Sequence, residues 1–333
     1  MSFTGIHVPW LAAWATIVAL IYQFFGTTWF TIPWLPLSIM ATAVAFYVGF
    51  KNNQAYDRLW EARKIWGGIV NASRAWGSAV IGYVSNLHTE QAVEEDSIQG
   101  IHKSMVLRHI AWLYIHRGQL LQSETWEHIN QNKHIARITK QRRDTHGIGL
   151  LDDNIVKDKL MELLDDEDIE LAKGSKNAAT QILHKQSTAL KELRQKGLID
   201  DFRHMELQRI VKEFYELQGK NERIKKFPFP RQYGGMSSVF VGIFIFLAPF
   251  GLVSEFASQG EYGVWVSIPF TVLVTWVFLV MELVGDYSEN PFEGLGNDIP
   301  MLALCRTIEI DLKQMLGYKD LPSPIEAKNN VLL

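Results

Sequence analysis

The sequence predicts an all-α integral membrane protein with four transmembrane helices and a large cytosolic helical domain. Two observations carry this reading. Residues 1–50 contain no Lys or Arg, and neither do residues 232–305, whereas nearly all the basic charge lies between Lys51 and Arg231. Within that middle region apolar residues recur at helical spacing and no proline occurs between Pro36 and Pro228. A mean hydropathy near zero is therefore the average of two unlike populations. The formal net charge of −3 gives no argument for nucleic acid as a partner. The single cysteine, Cys305, excludes an internal disulfide framework.

The elements follow in order. Val8–Phe25 is charge-free and close to the minimum length for crossing a bilayer, and no basic segment precedes it, so it is read as a retained span. Residues 26–31 (GTTWFT) form a turn. Pro33–Phe50 is the second span, with both prolines in its first turn, where a missing donor is harmless. Lys51 is expected to end it. In the soluble part, helices are expected over Ile101–Leu121, Ser123–Ile138, Asn177–Lys196 (closed by Gly197) and Asp200–Gly219. The last has an apolar stripe of Phe202, Met205, Ile210, Phe214 and Leu217. The acidic run Asp165–Glu170 reads as a solvated helix start. Met236–Phe256 and Gly263–Val284 are spans three and four, with Pro249 and Pro269 predicting kinks. Ile299–Leu316 is one amphipathic tail helix. Basic residues flank the middle region and are absent from the other two loops, which places that region and both termini in the cytosol.

Motifs for enzymatic chemistry are missing: no phosphate loop, no GxGxxG, no CxxC and no HExxH. Asp152, Asp153 and Asn154 begin like a calcium loop but lack its glycine and spacing. His102, His109 and His116 lie seven apart. They are read as surface or packing residues; a metal-dependent membrane enzyme built on them is the rival reading. Catalytic residues, metal ligands and cofactors are therefore expected to be none.

Residues 51–76 (KNNQAYDRLWEARKIWGGIVNASRAW) form the most informative stretch. Ala62, Ile65, Ile69 and Ala72 share one helix face. Gly67 and Gly68 suggest close helix approach. By periodicity alone this face suits the core of a helix bundle. Ile65 and Ile69 could also stack as apolar rings if several subunits met there, with Ser73 on the same line.

NNQAYDRLWEARKIWG resembles the signature of bacterial homologues of bestrophins, a family of pentameric ion channels. ENPFEGLGNDIPM, residues 289–301, is similar to the Asn-Pro-Phe segment after the last bestrophin span. The resemblance covers nearly the whole chain. It implies a homopentamer around a central pore in a bacterial inner membrane. It also implies a hydrophobic neck at Ile65, Ile69 and Ser73, and a cytosolic aperture at Leu183 or Ile182. The chain then divides into spans one and two (1–50), neck helix and cytosolic domain (51–235), spans three and four (236–285) and a C-terminal segment (286–333). Asn290 and Asp298 match the family's calcium segment, but its continuous acidic run is absent, so calcium gating is not expected. The resemblance favours small monovalent cations such as sodium. Glu282, Asp286, Glu289, Glu293 and Asp298 near span four are consistent with attracting them. An anion (chloride) channel of the same fold and a non-conducting receptor or scaffold are the alternatives.

Overall fold

A computed structural model describes residues 2–25, 32–89, 93–130, 133–150 and 160–333. The main helices are α1 (Val8–Phe25), α2 (Trp34–Tyr83), α3 (Glu95–Leu120), α4 (Lys133–His146), α5 (Asp166–Gly174), α6 (Ala178–Gln195), α7 (Asp201–Lys226), α8 (Arg231–Ala257), α9 (Gly263–Ser288) and α10 (Met301–Met315). Among the described residues, β-type pairing is confined to two isolated bridges, Gly147 with Leu295 and Lys328 with Val331. The chain forms two compact units, 1–58 with 228–289, and 59–227 with 290–333.

Among the described residues four helices are long and apolar enough to cross a membrane: α1, α2, α8 and α9. In the first unit Trp14 of α1 stacks on Phe246 of α8, with ring centroids 5.1 Å apart, and its Nε1 donates to the Phe246 carbonyl at 3.2 Å. A Cβ on Gly251 of α8 would lie 2.6 Å from Leu37 of α2, so that glycine permits a close crossing. Both α8 and α9 run unbroken through Pro249 and Pro269.

Helix α2 runs on through Lys51, as the helical register of residues 51–76 implies; it is 50 residues long, about 75 Å at 1.5 Å per residue, well beyond a hydrocarbon core of about 30 Å. The Ala, Leu, Glu, Arg and Lys residues between Gln54 and Lys64 favour helix and carry it onward.

The second unit is built around Trp66, Trp76, Trp112, Tyr114 and Phe214, all fully buried. Its helix ends are capped as their sequences suggest. Asp165 accepts from the Asp168 amide (2.8 Å), Asn177 from Thr180 (3.1 Å) and Asp200 from Arg203 (2.8 Å). Gly197 closes α6 at φ +70°, a conformation that suits glycine. Gly68 does permit close approach, since a Cβ there would lie 2.9 Å from Leu217 of α7.

Two expectations fail here. No helix starts at Ser123; a short 3-10 turn at His128–Asn130 precedes α4. Glu127, within that expected helix, forms a buried ion pair with Lys225. The stripe on α7 also breaks. Ile210, Phe214 and Leu217 are buried, whereas Phe202 and Met205 are 87% and 68% exposed. Residues 26–31 and Asp152–Asn154 lie outside the described residues.

Candidate functional site

The proposed neck residues do not face outward. Ile65 is 3% exposed, and Ile69 and Ser73 are 0% exposed. All three lie in the second unit. The two isoleucines belong to its hydrophobic core, and Ser73 Oγ donates to the Ile69 carbonyl at 2.6 Å. A ring around a shared axis needs side chains that one chain leaves uncovered. Within one chain the apolar face of these residues is packed into its own core, which speaks against a neck there. Leu183 and Ile182 are likewise fully buried in that core, which speaks against an aperture at either.

The uncovered face of α2 lies on the other side. Asn71 is exposed and sits about 160° around the helix from Ile69. Leu35, Ile39, Thr42, Phe46, Phe50, Asn53, Asp57, Trp60, Lys64, Asn71 and Ser78 continue this exposed stripe at three-, four- or seven-residue steps. In its apolar half, Leu35, Ile39, Phe46 and Phe50 are 70%, 64%, 66% and 68% exposed. Thr42, Gly49 and Asn53 add small and polar groups to the same face.

His109 and His116 are buried and His102 is half-buried, each hydrogen-bonded within the chain. His102 bonds the Val84 carbonyl at 2.9 Å. Ser73 Oγ already donates to Ile69, so it accepts from His109 Nε2–H at 2.9 Å. Asn221 Nδ2 donates to His116 Nε2 at 3.1 Å. The two rings thus carry their protons on opposite nitrogens. Both pack beside the Trp112 indole, His116 at an interplanar angle of 4°. Burial lowers His109 to about 3 and His116 to about 4.

In the first unit a buried polar cluster was missed by sequence reasoning. Lys51 Nζ lies 2.7 Å from Glu282 Oε1, with the lysine side chain 0% exposed and the glutamate 6% exposed. Ser237 Oγ and Ser238 Oγ donate to the same oxygen at 2.8 and 2.7 Å. Asn52 Nδ2 donates to the Met281 carbonyl at 2.9 Å. The cluster ties α2, α8 and α9 together. A signal was present: Lys51 is the first basic residue of the chain, and Glu282 lies within the fourth apolar run.

These contacts change the reading of the acidic residues. Glu282 is committed to Lys51 and two serines. In the second unit Glu293 is 3% exposed and accepts from His128 Nδ1 at 3.0 Å and from Asn290 Nδ2 at 2.9 Å. Asp298 accepts from the Gly294 and Leu295 amides at 2.7 and 3.0 Å. Asp286 Oδ1 also lies 3.9 Å from Lys51 Nζ, so at least four of the five carboxylates have internal partners, which removes most of their support for cation attraction.

A family model described as bacterial/fungal bestrophin protein matches residues 6–314. The chain belongs to the bestrophin family. The voltage-dependent anion channel-forming protein YneE of Salmonella typhi is 26% identical over 288 residues, covering 86% of this chain and 78% of that protein. A voltage-dependent anion channel-forming protein of Ralstonia nicotianae is 24% identical over 331 residues, covering 98% of this chain and 87% of that protein. The fold of this bestrophin is shared with a crystal structure of a bacterial bestrophin homologue from Klebsiella pneumoniae. That similarity has a TM-score of 0.76 at 21% identity, covering 95% of this chain and 99% of that one. The family is one of ion channels rather than of enzymes.

Proposed function

We propose that this bestrophin forms a passive channel for small monovalent ions, with anions such as chloride carried in preference to sodium. The family match over residues 6–314 carries the channel reading. The anion preference draws on the printed names of the relatives. It is also supported by the internal pairing of Glu282, Glu293 and Asp298, since the carboxylates that favoured sodium have other work. Several copies, five by family resemblance, would meet around one axis. The channel would sit in a bacterial inner membrane, with the basic residues beside the apolar helices, and both termini, on the cytosolic side.

In this reading the pore is lined by the exposed stripe of α2. Rings of Leu35, Ile39 and Phe46 would form the narrow apolar segment, where poor wetting limits conduction. Phe202 and Met205, exposed at the start of α7, replace Leu183 and Ile182 as the apolar positions available for a second constriction. The test is the reversal potential of purified protein in a planar bilayer under asymmetric NaCl. A shift towards the chloride equilibrium potential is expected. A shift towards the sodium potential would restore the cation reading, and no current at all would favour the non-conducting scaffold.

A further inference from the structure

Helix α4 is basic although the chain as a whole is acidic. It carries Lys133, Arg137, Lys140, Arg142 and Arg143 against one carboxylate, Asp144, while the chain has formal net charge −3. Lys133, Arg137 and Lys140 are all exposed. Steps of four and three place them on one face along about 10 Å of helix axis. Asp144 falls at the C-terminal end of that face. Thr139 on the other side is buried, and Ile135, Ala136 and Ile138 are half-buried, so the apolar side rests on the helix's own unit.

No ion-pair partner accompanies Lys133, Arg137 or Lys140 among the described residues. Some cations of the same unit do have one, among them Lys173 with Glu170 at 2.9 Å, the half-buried Lys185 with Glu167 at 2.6 Å and Arg194 with Asp201 at 2.5 Å. The C-terminal end of α4 is also tethered. Gly147 bridges Leu295, and the Ile148 amide donates to the Gly294 carbonyl at 3.0 Å. Leu295 follows Ser288, the last residue of α9, by seven positions. Seven residues of chain reach at most about 25 Å. The basic face is thus carried on a short covalent tether from a membrane-crossing helix.

We propose that the Lys133–Arg137–Lys140 face docks on anionic phospholipid headgroups of the bilayer that the chain's own apolar helices enter. Charge complementarity selects the partner, and the tether keeps the face within reach of it. The inference rests on the membrane reading of the chain and is independent of which ion is conducted.

The test uses full-length protein in nanodiscs, with Gln141→Cys labelled by an environment-sensitive dye. Gln141 is exposed at the edge of the basic face. Cys305 is fully buried, and burial pushes its thiol up to about 12, so labelling is selective. The expected result is a blue-shifted emission in discs containing phosphatidylglycerol and none in phosphatidylcholine alone. The shift should vanish at about 1 M salt, where the screening length is about 3 Å. It should also vanish in K133Q/R137Q/K140Q, whose surface partitioning falls roughly a hundredfold. Identical emission in both lipids would overturn the proposal. So would a shift that survives both salt and the triple substitution. An equal shift when inorganic phosphate is added to phosphatidylcholine discs would also overturn it, since the face would then be a free-phosphate site. The wild-type lipid and salt comparisons decide the matter even if the triple variant does not fold, and loss of ion flux in the bilayer test leaves these readouts intact.

Discussion

Lys51→Ala should destabilise this bestrophin by about 3–5 kcal/mol, the usual cost of leaving one partner of a buried ion pair without the other. The lysine side chain is 0% exposed and has Glu282 at 2.7 Å. Without the ammonium, Glu282 keeps only the Ser237 and Ser238 hydroxyls as donors. Two hydroxyls do not neutralise a carboxylate in a buried site. Glu282→Gln should cost less, because the amide oxygen still accepts from all three donors, although the lysine charge loses its counter-ion. The double variant Lys51→Met/Glu282→Leu should recover much of the loss, since it removes both desolvated charges. Thermal unfolding of the detergent-solubilised protein gives the order wild type, double variant, Lys51→Ala from most to least stable. An unchanged midpoint in Lys51→Ala would show that the pair is not buried in the folded protein.

Acid should destabilise the second unit in a defined window. His109 and His116 titrate at about 3 and about 4 when folded, against about 6.5 in an unfolded chain. Between those values the unfolded state binds protons that the folded state refuses, so stability rises with pH. It is complete above about pH 6.5 and falls as the pH drops towards 4. There each histidine accounts for roughly 3 kcal/mol. The physical cause is burial: Ser73 and Asn221 each satisfy one ring nitrogen, and no carboxylate bonds either ring. His116→Gln should therefore flatten the pH dependence of the unfolding midpoint by about half, while lowering the midpoint at neutral pH. A profile from pH 7 to 4 that matches wild type would contradict the burial argument.

The first apolar helix was legible, since an apolar run ahead of the Gly- and Thr-rich stretch at 26–31 gives α1 from Val8 to Phe25. The caps at Asp165, Asn177 and Asp200 are local, and the capping side chain lies only three residues from its amide. Features that depend on distant partners were hidden. The burial of Lys51 was hidden because its counter-ion is 231 positions away. The buried pairing of Glu127 was hidden because Lys225 is 98 positions away. The sequence left the pore face open for a different reason. A helical period shows that Ile65 and Ile69 share a face, but not whether that face meets the same chain or another copy. In a helix with a large soluble partner unit, the apolar face goes to the nearest core. The exposed stripe through Ile39 and Phe46 was the better candidate, but the whole span is apolar, so periodicity does not single it out.

Cysteine accessibility of the open channel tests the pore assignment most directly. Ile39→Cys and Ile69→Cys would each be placed in the full-length protein, with Cys305 buried and unreactive. A charged, membrane-impermeant thiol reagent would then be added during single-channel recording. Modification should reduce or abolish the current through Ile39→Cys and leave Ile69→Cys unchanged. Block at Ile69→Cys with none at Ile39→Cys would put the pore on the face that is buried in this chain and would overturn the account.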